Sequence, residues 1–446
     1  MNTIIGTILV LGVIILVHEW GHFIVARLFG VRVDVFSIGF GPRLFGVKRG
    51  ATDWRVSALP LGGYVRMAGQ DITDIDSGDQ KPTGAPDELL SKKRWQRALI
   101  SFAGPAINLI FPVLLLGVYF VIAGEPYFAY TDKPLVVVGL PADGSNAPNA
   151  SSGLRVGDRV VSINGVKNPT WGDASNTVSA LPAGSVVKIQ VENNGVTRQV
   201  DLTYKKSPDE HLFGYAPVPP KVLQVLQGGP ASVGGMKDGD LIQSVNGSKV
   251  GFWHQFVDII HRSEGKPVQI EVSRNGQSVS LSVTPKIGAA KNGDKVYQIG
   301  ISPDIDLAHK PLGLAGSFAA SFAQTSSLVV ETIDVVSKLV TGRVSVKDLQ
   351  SVIGISRAAG EAVSLGPSAT ILFMALISVN LGILNLLPIP ILDGGHILLL
   401  SMEGIRRRDF SLAFKERFVQ VGLVFLLVLI AYVMYNDVVR MFPLHS

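Results

Sequence analysis

The stretch His18-Glu19-Trp20-Gly21-His22 has the pattern HExxH and lies inside an apolar segment that runs from Ile4 to Ala26. In a helix, residues four apart share one face, so His18 and His22 can direct imidazole nitrogens at the same metal ion. Glu19 lies beside them and can accept a proton from the water that a catalytic zinc activates. Histidine pairs without a metal occur on soluble helices, but three polar groups buried in a lipid-spanning helix need partners. The motif therefore predicts a zinc site.

The composition indicates a membrane protein. Of 446 residues, 47% are hydrophobic and 17% are charged. This is too apolar for a typical soluble enzyme and excludes a disordered chain. The chain has no cysteine, so histidines and carboxylates must hold any zinc. The net charge of +5 comes from basic residues that cluster beside apolar segments, and we therefore expect no nucleic-acid partner.

Four segments are long and apolar enough to cross a bilayer, which takes about 20 residues. The predicted transmembrane helices cover residues 1–31, 98–124, 367–404 and 417–436. Basic residues follow the first span, precede the second and separate the third from the fourth, so the positive-inside rule places these ends in the cytoplasm. Both termini and the long region between the second and third spans then lie outside. The metal site is expected within the membrane, near its cytoplasmic side.

Residues 32–70 alternate apolar and polar side chains and contain several glycines, a pattern typical of β-hairpins. We predict two or three hairpins in a membrane-associated sheet under the catalytic helix. They are either a small scaffold or the source of an edge strand that pairs with an extended substrate, as in β-augmentation. Residues 71–97 are predicted to be a cytoplasmic loop.

An internal repeat lies between the second and third spans. The sequence Gly153–Gly165 recurs as Gly235–Gly247 with the same spacing throughout, which indicates two tandem β-rich domains. In each copy, Gly-Asp is expected in a turn, an apolar run in a strand, and Asn-Gly in a tight hairpin turn. The pattern resembles the PDZ fold, here over residues 130–206 and 215–303. PDZ domains bind peptides in a groove, although either copy could instead be a spacer that blocks bulky substrates.

The region before the third span is predicted to be helical. Residues 311–363 carry apolar side chains at helical spacing, which indicates extracytoplasmic amphipathic helices. These helices either lie on the outer leaflet or pack against the two β-rich domains. The pattern leaves both arrangements open.

The third span continues into Leu386-Leu387-Pro388-Ile389-Pro390-Ile391-Leu392-Asp393-Gly394-Gly395-His396. The two prolines must interrupt the helix, and a broken backbone at membrane depth is tolerated around a buried or wet cavity. Asp393 is the favoured third zinc ligand, with His396 as its competitor. Asn380 and Asn385 either hold the substrate backbone or an oxyanion, or join helices as polar side chains do in membranes.

These motifs together resemble the site-2 protease family of intramembrane zinc metalloproteases, in its bacterial branch with four spans and tandem PDZ domains. The resemblance covers essentially the whole chain. It implies the metal ligands and the catalytic base, which are His18, His22, Asp393 and Glu19. It also implies substrate-binding positions in the third span and in the Gly39-Phe40-Gly41-Pro42 loop, which are Asn380, Asn385, Gly39 and Gly41. One departure is Ser351-Val352, which stands where the family often has Gly-Pro.

The resemblance further implies a function in regulated intramembrane proteolysis and envelope stress signalling. The expected enzyme uses Zn²⁺ to hydrolyse transmembrane segments of single-span proteins that have already been trimmed outside the membrane. Its expected substrates are of the anti-sigma-factor type or are remnants of signal peptides. We expect a multi-pass protein of the bacterial inner membrane, with periplasmic PDZ domains that bind peptides. The alternative is a non-catalytic membrane scaffold that binds peptides through its PDZ pair, and the intact Glu19 argues against it.

Overall fold

The computed structural model describes residues 2–69, 83–141, 153–205, 211–226, 228–289, 295–342 and 351–441. The chain divides into two compact units, Met1–Glu125 with Pro311–Ser446 and Pro126–Lys310. Several predictions concern stretches that lie outside the described residues. These are the first part of the expected cytoplasmic loop at 70–82, the start of the first repeat region at 142–152, and residues 343–350 before Ser351.

The elements follow one another as expected for an α-helical protein with an inserted β-rich region. The helices are α1 (Asn2–Leu28), α2 (Arg94–Ala123), α3 (Trp171–Ser179), α4 (Pro230–Val233), α5 (Trp253–Arg262), α6 (Leu314–Val340), α7 (Val352–Ser364), α8 (Pro367–Asn385), α9 (Asp393–Arg406) and α10 (Leu412–Met441). The first eight strands are β1 (Val33–Arg49), β2 (Thr52–Met67), β3 (Glu125–Phe128), β4 (Arg159–Ile163), β5 (Val166–Lys167), β6 (Val186–Asn193), β7 (Val196–Thr203) and β8 (Val222–Val225). The other eight are β9 (Leu241–Val245), β10 (Ser248–Lys249), β11 (Val268–Arg274), β12 (Gln277–Val283), β13 (Lys286–Ala289), β14 (Lys295–Gln298), β15 (Ile301–Pro303) and β16 (Leu307–Lys310).

Four helices of the first unit are long and apolar enough to cross a membrane, and they are α1, α2, α8 and α10. The chain is therefore a helical membrane protein with four candidate spans in its described part, as the sequence predicted. The third predicted span is divided, because α8 ends at Asn385 and α9 begins at Asp393. Pro388 and Pro390 lie in the break, where their missing N–H groups remove no helical hydrogen bond.

Strands β1 and β2 pair in one sheet with several bulges. The start of β2, residues 52–57, pairs with both halves of β1, and the end of β2, residues 63–67, pairs with the first half only. The two strands thus make four sheet segments in the order 63–67, 33–38, 52–57, 43–49. The sheet corresponds to the hairpins predicted from the alternating sequence.

Aromatic rings fix this sheet against α1. The rings of Trp20 and Phe23 from α1 lie with centroids 5.1–5.7 Å from the rings of Phe36 and Trp54 in the sheet. Aromatic pairs at such separations are worth about 0.5–1.5 kcal/mol each beyond the area they bury. Since Trp20 lies inside the HExxH motif, the sheet packs directly beside the histidines.

The second unit contains both copies of the repeat, each with its own hydrophobic core. The first copy has the sheet order β5-β4-β6-β7 with α3 between β5 and β6 along the chain, and the second has β10-β9-β11-β12 with α5 between β10 and β11. The repeated sequence therefore folds into the same sequence of elements twice. The assignment of both copies to the PDZ fold stays a prediction.

The repeated Gly-Asp pair is a turn anchored by a buried carboxylate. Asp158 and Asp240 are both 0% exposed. Asp240 accepts hydrogen bonds from the backbone N–H of Lys237 at 2.9 Å and from Nε and Nη2 of Arg274 at 2.8 and 2.7 Å. Burial alone would raise the pKa of Asp240, but the hydrogen bonds and charge of Arg274 outweigh burial and lower that pKa below its usual value.

Candidate metal centre

The HExxH histidines meet a carboxylate from the far end of the chain. His18 and His22 lie one turn apart on α1, and their Nε2 atoms are 3.2 Å apart. Oδ2 of Asp393, the first residue of α9, lies 3.2 Å from Nε2 of His18, and Oδ1 lies 3.4 Å from Nε2 of His22. In the described part of the chain, these three residues form the one group of histidine, aspartate or glutamate side chains close enough to share a metal.

The donor set fits a zinc ion. Zinc binds imidazole nitrogens and carboxylate oxygens at about 2.0–2.1 Å in a tetrahedron, which places the ligand atoms about 3.3 Å from one another. The observed separations of 3.2, 3.2 and 3.4 Å match that spacing. His18 and His22 are buried, with 6% and 8% exposure. Three protein ligands leave the fourth position open, as in catalytic rather than structural zinc sites.

Glu19 is held at the same cavity by the sheet. Its side chain lines the cavity with the two histidines, and its carboxylate accepts a hydrogen bond from the backbone N–H of Val65 in β2. Strand β2 approaches α1 so closely that a Cβ atom at Gly63 would lie 3.3 Å from Cγ of Glu19. The sheet therefore sets the position of the carboxylate, which a helix alone would leave free to rotate.

The loop before α9 determines where Asp393 lies. Ile391 has a φ of +84°, a left-handed conformation that costs a β-branched residue on the order of 1–3 kcal/mol. A Cβ atom at Gly394 would overlap the carbonyl oxygen of Leu386, so only glycine allows this close approach. The result is a tight loop that places Asp393 in the first turn of α9, where the free backbone N–H groups favour a carboxylate.

A cavity of about 800 Å³ opens beside the three residues. Its walls come from the sheet, from α1 and α2, and from α9 and α10. Its lining includes Phe40, Gly41, Tyr64, Val65, Arg66, Met67, Asn385, His396, Phe418 and Val419. A space of this size is within the range of binding sites for small molecules and short peptide segments.

The predicted substrate residues lie in different places. Asn385 lines the cavity, with its amide nitrogen 3.4 Å from Nε2 of His18. Gly41 also lines it, and Gly39, in the same loop, has a φ of +91° and accepts a hydrogen bond from Ser37 on its carbonyl. The amide oxygen of Asn380 instead accepts a hydrogen bond of 2.7 Å from Oγ1 of Thr332 in α6. That contact corresponds to the helix-joining alternative for Asn380.

Sequence reasoning assigned no role to the face of α2 that contacts the histidines. The carbonyl oxygen of Ile100 accepts a 2.7 Å hydrogen bond from Nδ1 of His22, and the amide of Asn108 lies 3.2 Å from Nδ1 of His18. A Cβ atom at Gly104 would overlap Nε2 of His22. The available signal was a glycine and an asparagine four residues apart in an otherwise apolar span, which places both on one helical face.

A buried cluster of charges borders the same cavity. Glu403 of α9 is 0% exposed, and its carboxylate lies 3.3 Å from Nζ of Lys415 and 3.9 Å from Nη2 of Arg97. Its Oε1 also accepts a hydrogen bond from the backbone N–H of Phe410. The sequence indicated Arg97 and Lys415 only as cytoplasmic flanks of spans, because nothing local marks Glu403 as their partner.

Residues 6–429 match the profile of peptidase family M50. The chain belongs to peptidase family M50. Two relatives support the M50 assignment over the full length. The regulator of sigma-E protease RseP of Escherichia coli K12 is 33% identical, over 97% of this chain and 98% of its own. A Neisseria meningitidis protein named as a zinc metalloprotease is 30% identical, over 99% of this chain and 100% of its own.

Membership of M50, the site-2 protease family, identifies this membrane protein as a zinc metalloprotease. The predicted family, enzyme class and metal are therefore confirmed. Among solved structures, the PDZ domain of the SdrC-like protein of Listeria innocua matches 21% of this M50 chain and 99% of its own. That match has 26% sequence identity and a TM-score of 0.17.

Proposed function

We propose that this M50 protease cleaves peptide bonds in or beside transmembrane segments, with His18, His22 and Asp393 as zinc ligands and Glu19 as the catalytic base. The observation that carries the proposal is the meeting of HExxH and Asp393 at one point between apolar helices. A metal placed there would open onto the cavity that Glu19 also lines. The proposed ligands, the base and the space for the substrate then lie close enough together to act on one scissile bond.

The roles of the side chains follow from their chemistry. When bound, zinc supplies a Lewis acid that polarises the scissile carbonyl and makes water easier to deprotonate near neutral pH. Glu19 takes the proton of the attacking water and later passes it to the leaving amine, a form of catalysis worth typically 10²–10⁴-fold. The amide of Asn385, which borders the same cavity, can donate a hydrogen bond to the oxyanion.

The sheet supplies a surface for the substrate. A peptide bond in a helix is shielded by its own hydrogen bonds, so a transmembrane substrate must become extended before it is cut. The segment of β2 from Tyr64 to Met67 is extended and lines the cavity beside Glu19. We infer that the extended substrate lies along this segment, as in β-augmentation, with the Gly39–Pro42 loop at the same wall of the cavity.

The proposed substrates are single-span proteins of the anti-sigma-factor type, already trimmed outside the membrane, and remnants of signal peptides. The name of the Escherichia coli relative, a regulator of sigma-E protease, supports this class. We further propose that the protein works in the bacterial inner membrane. The second unit would then lie in the periplasm, reject untrimmed proteins by size and bind peptides in PDZ grooves.

Glu19→Gln tests the proposed chemistry on the full-length protein in proteoliposomes. With a labelled single-span peptide as substrate, we expect the variant to bind zinc as the wild type does and to cleave at least about 100 times more slowly. Glu416→Gln is the matched control, because Glu416 is exposed on α10, and it should cleave like the wild type. Equal cleavage by the Glu19 variant would exclude its role as base, and a wild type that binds but never cleaves peptides would favour the scaffold alternative.

A further inference from the structure

One face of α2 is built around the two histidines. Ile100, Gly104 and Asn108 are spaced by four residues, so they lie in a row along the helix. Gly104 leaves room for both rings, since a Cβ atom there would overlap Nε2 of His22 and lie 2.8 Å from Cε1 of His18. Ile100 faces Nδ1 of His22, and Asn108 faces Nδ1 of His18.

The contact at His22 shows which nitrogen of its ring carries the proton. Its Nδ1 lies 2.7 Å from the carbonyl oxygen of Ile100, and a carbonyl can only accept a hydrogen bond. Nδ1 therefore carries the proton, and the lone pair is on Nε2, the atom that faces Asp393. His18 presents Nε2 to the same carboxylate, so its Nδ1 also needs an acceptor.

Asn108 can be that acceptor. Its side chain is 0% exposed, with Nδ2 placed 3.2 Å from Nδ1 of His18, and its Oδ1 is buried without a hydrogen-bond partner. A half-turn of the amide, whose two ends have nearly the same shape, exchanges these atoms. Oδ1 then faces Nδ1–H of His18, and the buried oxygen gains the partner that it otherwise lacks.

We infer that Asn108 is a positioning residue for His18, whose Nδ1–H donates a hydrogen bond to the Asn108 side-chain oxygen and whose Nε2 is thereby presented to the metal. This inference rests on the proposed zinc ligands. Partners of this kind fix the tautomer and the ring orientation of a metal-binding histidine. The position of Asn108 is itself fixed from α8, because Oγ of Ser378 donates a 2.8 Å hydrogen bond to its backbone carbonyl.

Zinc affinity of the purified full-length protein, measured by competition with a chromogenic chelator, tests the inference. Asn108→Leu keeps the approximate size but removes the acceptor, and we expect zinc binding about 10–100-fold weaker. Asn108→Asp can accept but has no N–H to donate, so it should bind zinc at least as tightly as the wild type. Asn176→Leu is the control, since it makes the same substitution at an exposed position of α3, and it should stay within a few-fold of the wild type.

Two results would overturn the inference. One is wild-type zinc affinity in Asn108→Leu. The other is an Asn108→Asp variant that elutes as a folded species yet loses zinc as severely as the leucine variant, because this would mean that the amide donates. His18→Ala tests the proposed zinc site separately. Because this variant lacks a proposed ligand, its zinc content should fall whether or not Asn108 accepts a hydrogen bond. If Asn108→Leu does not fold, Asn108→Asp decides by comparison with the wild type: equal or tighter zinc binding supports the inference, and a loss of about tenfold or more overturns it.

Discussion

The carboxylate of Asp393 lies 3.2 Å from Nε2 of His18, although the two residues belong to α9 and α1. In the proposed metal centre neither helix could hold the zinc ion alone, because α1 would supply two ligands and a catalytic site needs three from the protein. The loop around Ile391 and the glycines after Asp393 hold this one carboxylate beside the histidine pair.

The third ligand can be identified by metal analysis. Asp393→Ala should lower the zinc content of the purified protein well below one ion per chain, because two imidazoles alone hold zinc weakly. His396→Ala, three residues further along the same cavity wall, should keep its zinc. The reverse result, with zinc lost only in the His396 variant, would transfer the third ligand to His396.

Gly104 should be irreplaceable by alanine. The added methyl group would overlap Nε2 of His22, so we expect Gly104→Ala to lower zinc affinity and to slow cleavage by about tenfold or more, as displaced metal ligands do. Gly12→Ala is the matched control in another membrane helix, because nothing lies within 4 Å of its Cβ position. We expect the control to be neutral or stabilised by up to about 1 kcal/mol. Equal zinc affinity in the two variants would show that α2 has room to move.

The buried charge cluster should contribute strongly to stability. Glu403→Gln removes the buried carboxylate that faces Lys415 and Arg97, and removing one partner of a buried pair typically costs about 3–5 kcal/mol. The measurement is the free energy of unfolding of the full-length protein in mixed micelles. Glu361→Gln, which breaks an exposed pair with Arg357, should cost less than about 1 kcal/mol. A similar small cost for Glu403→Gln would mean that water reaches the cluster.

The second unit should lose stability in acid through Asp240. The pKa of this carboxyl is lowered in the folded state, so its contribution is complete above the unfolded value of about 3.9. The contribution is then lost as the pH falls through the lower folded pKa. We expect Asp240→Asn to resist proteolysis less than the wild type at neutral pH and to show a smaller further loss below pH 4.

The control for that experiment is Asp201→Asn, which changes an exposed carboxyl on β7 of the same unit. Its rate of proteolysis should follow the wild type at every pH. An Asp240 variant with the full acid response of the wild type would assign the acid sensitivity to other carboxyls.

The parts of the site that follow from local rules could be predicted from the sequence. The spacing of His18 and His22 is set by the helical repeat, and the helix break before Asp393 follows from two prolines. The contacts between distant elements could not be predicted, because register and approach depend on packing. Examples are the Val65 N–H that holds Glu19, the Asn108 side chain at His18, and the Thr332 hydroxyl that engages Asn380.

The spacing of the metal-binding residues along the chain also bears on how the enzyme is made. His18 and Glu19 leave the ribosome early, whereas Asp393 follows only after three of the four candidate spans have been translated. With the proposed site residues, a nascent or prematurely terminated chain therefore carries the base and two of the three metal ligands but cannot complete the centre. In the proposed site, proteolytic activity would therefore begin only when synthesis is nearly complete.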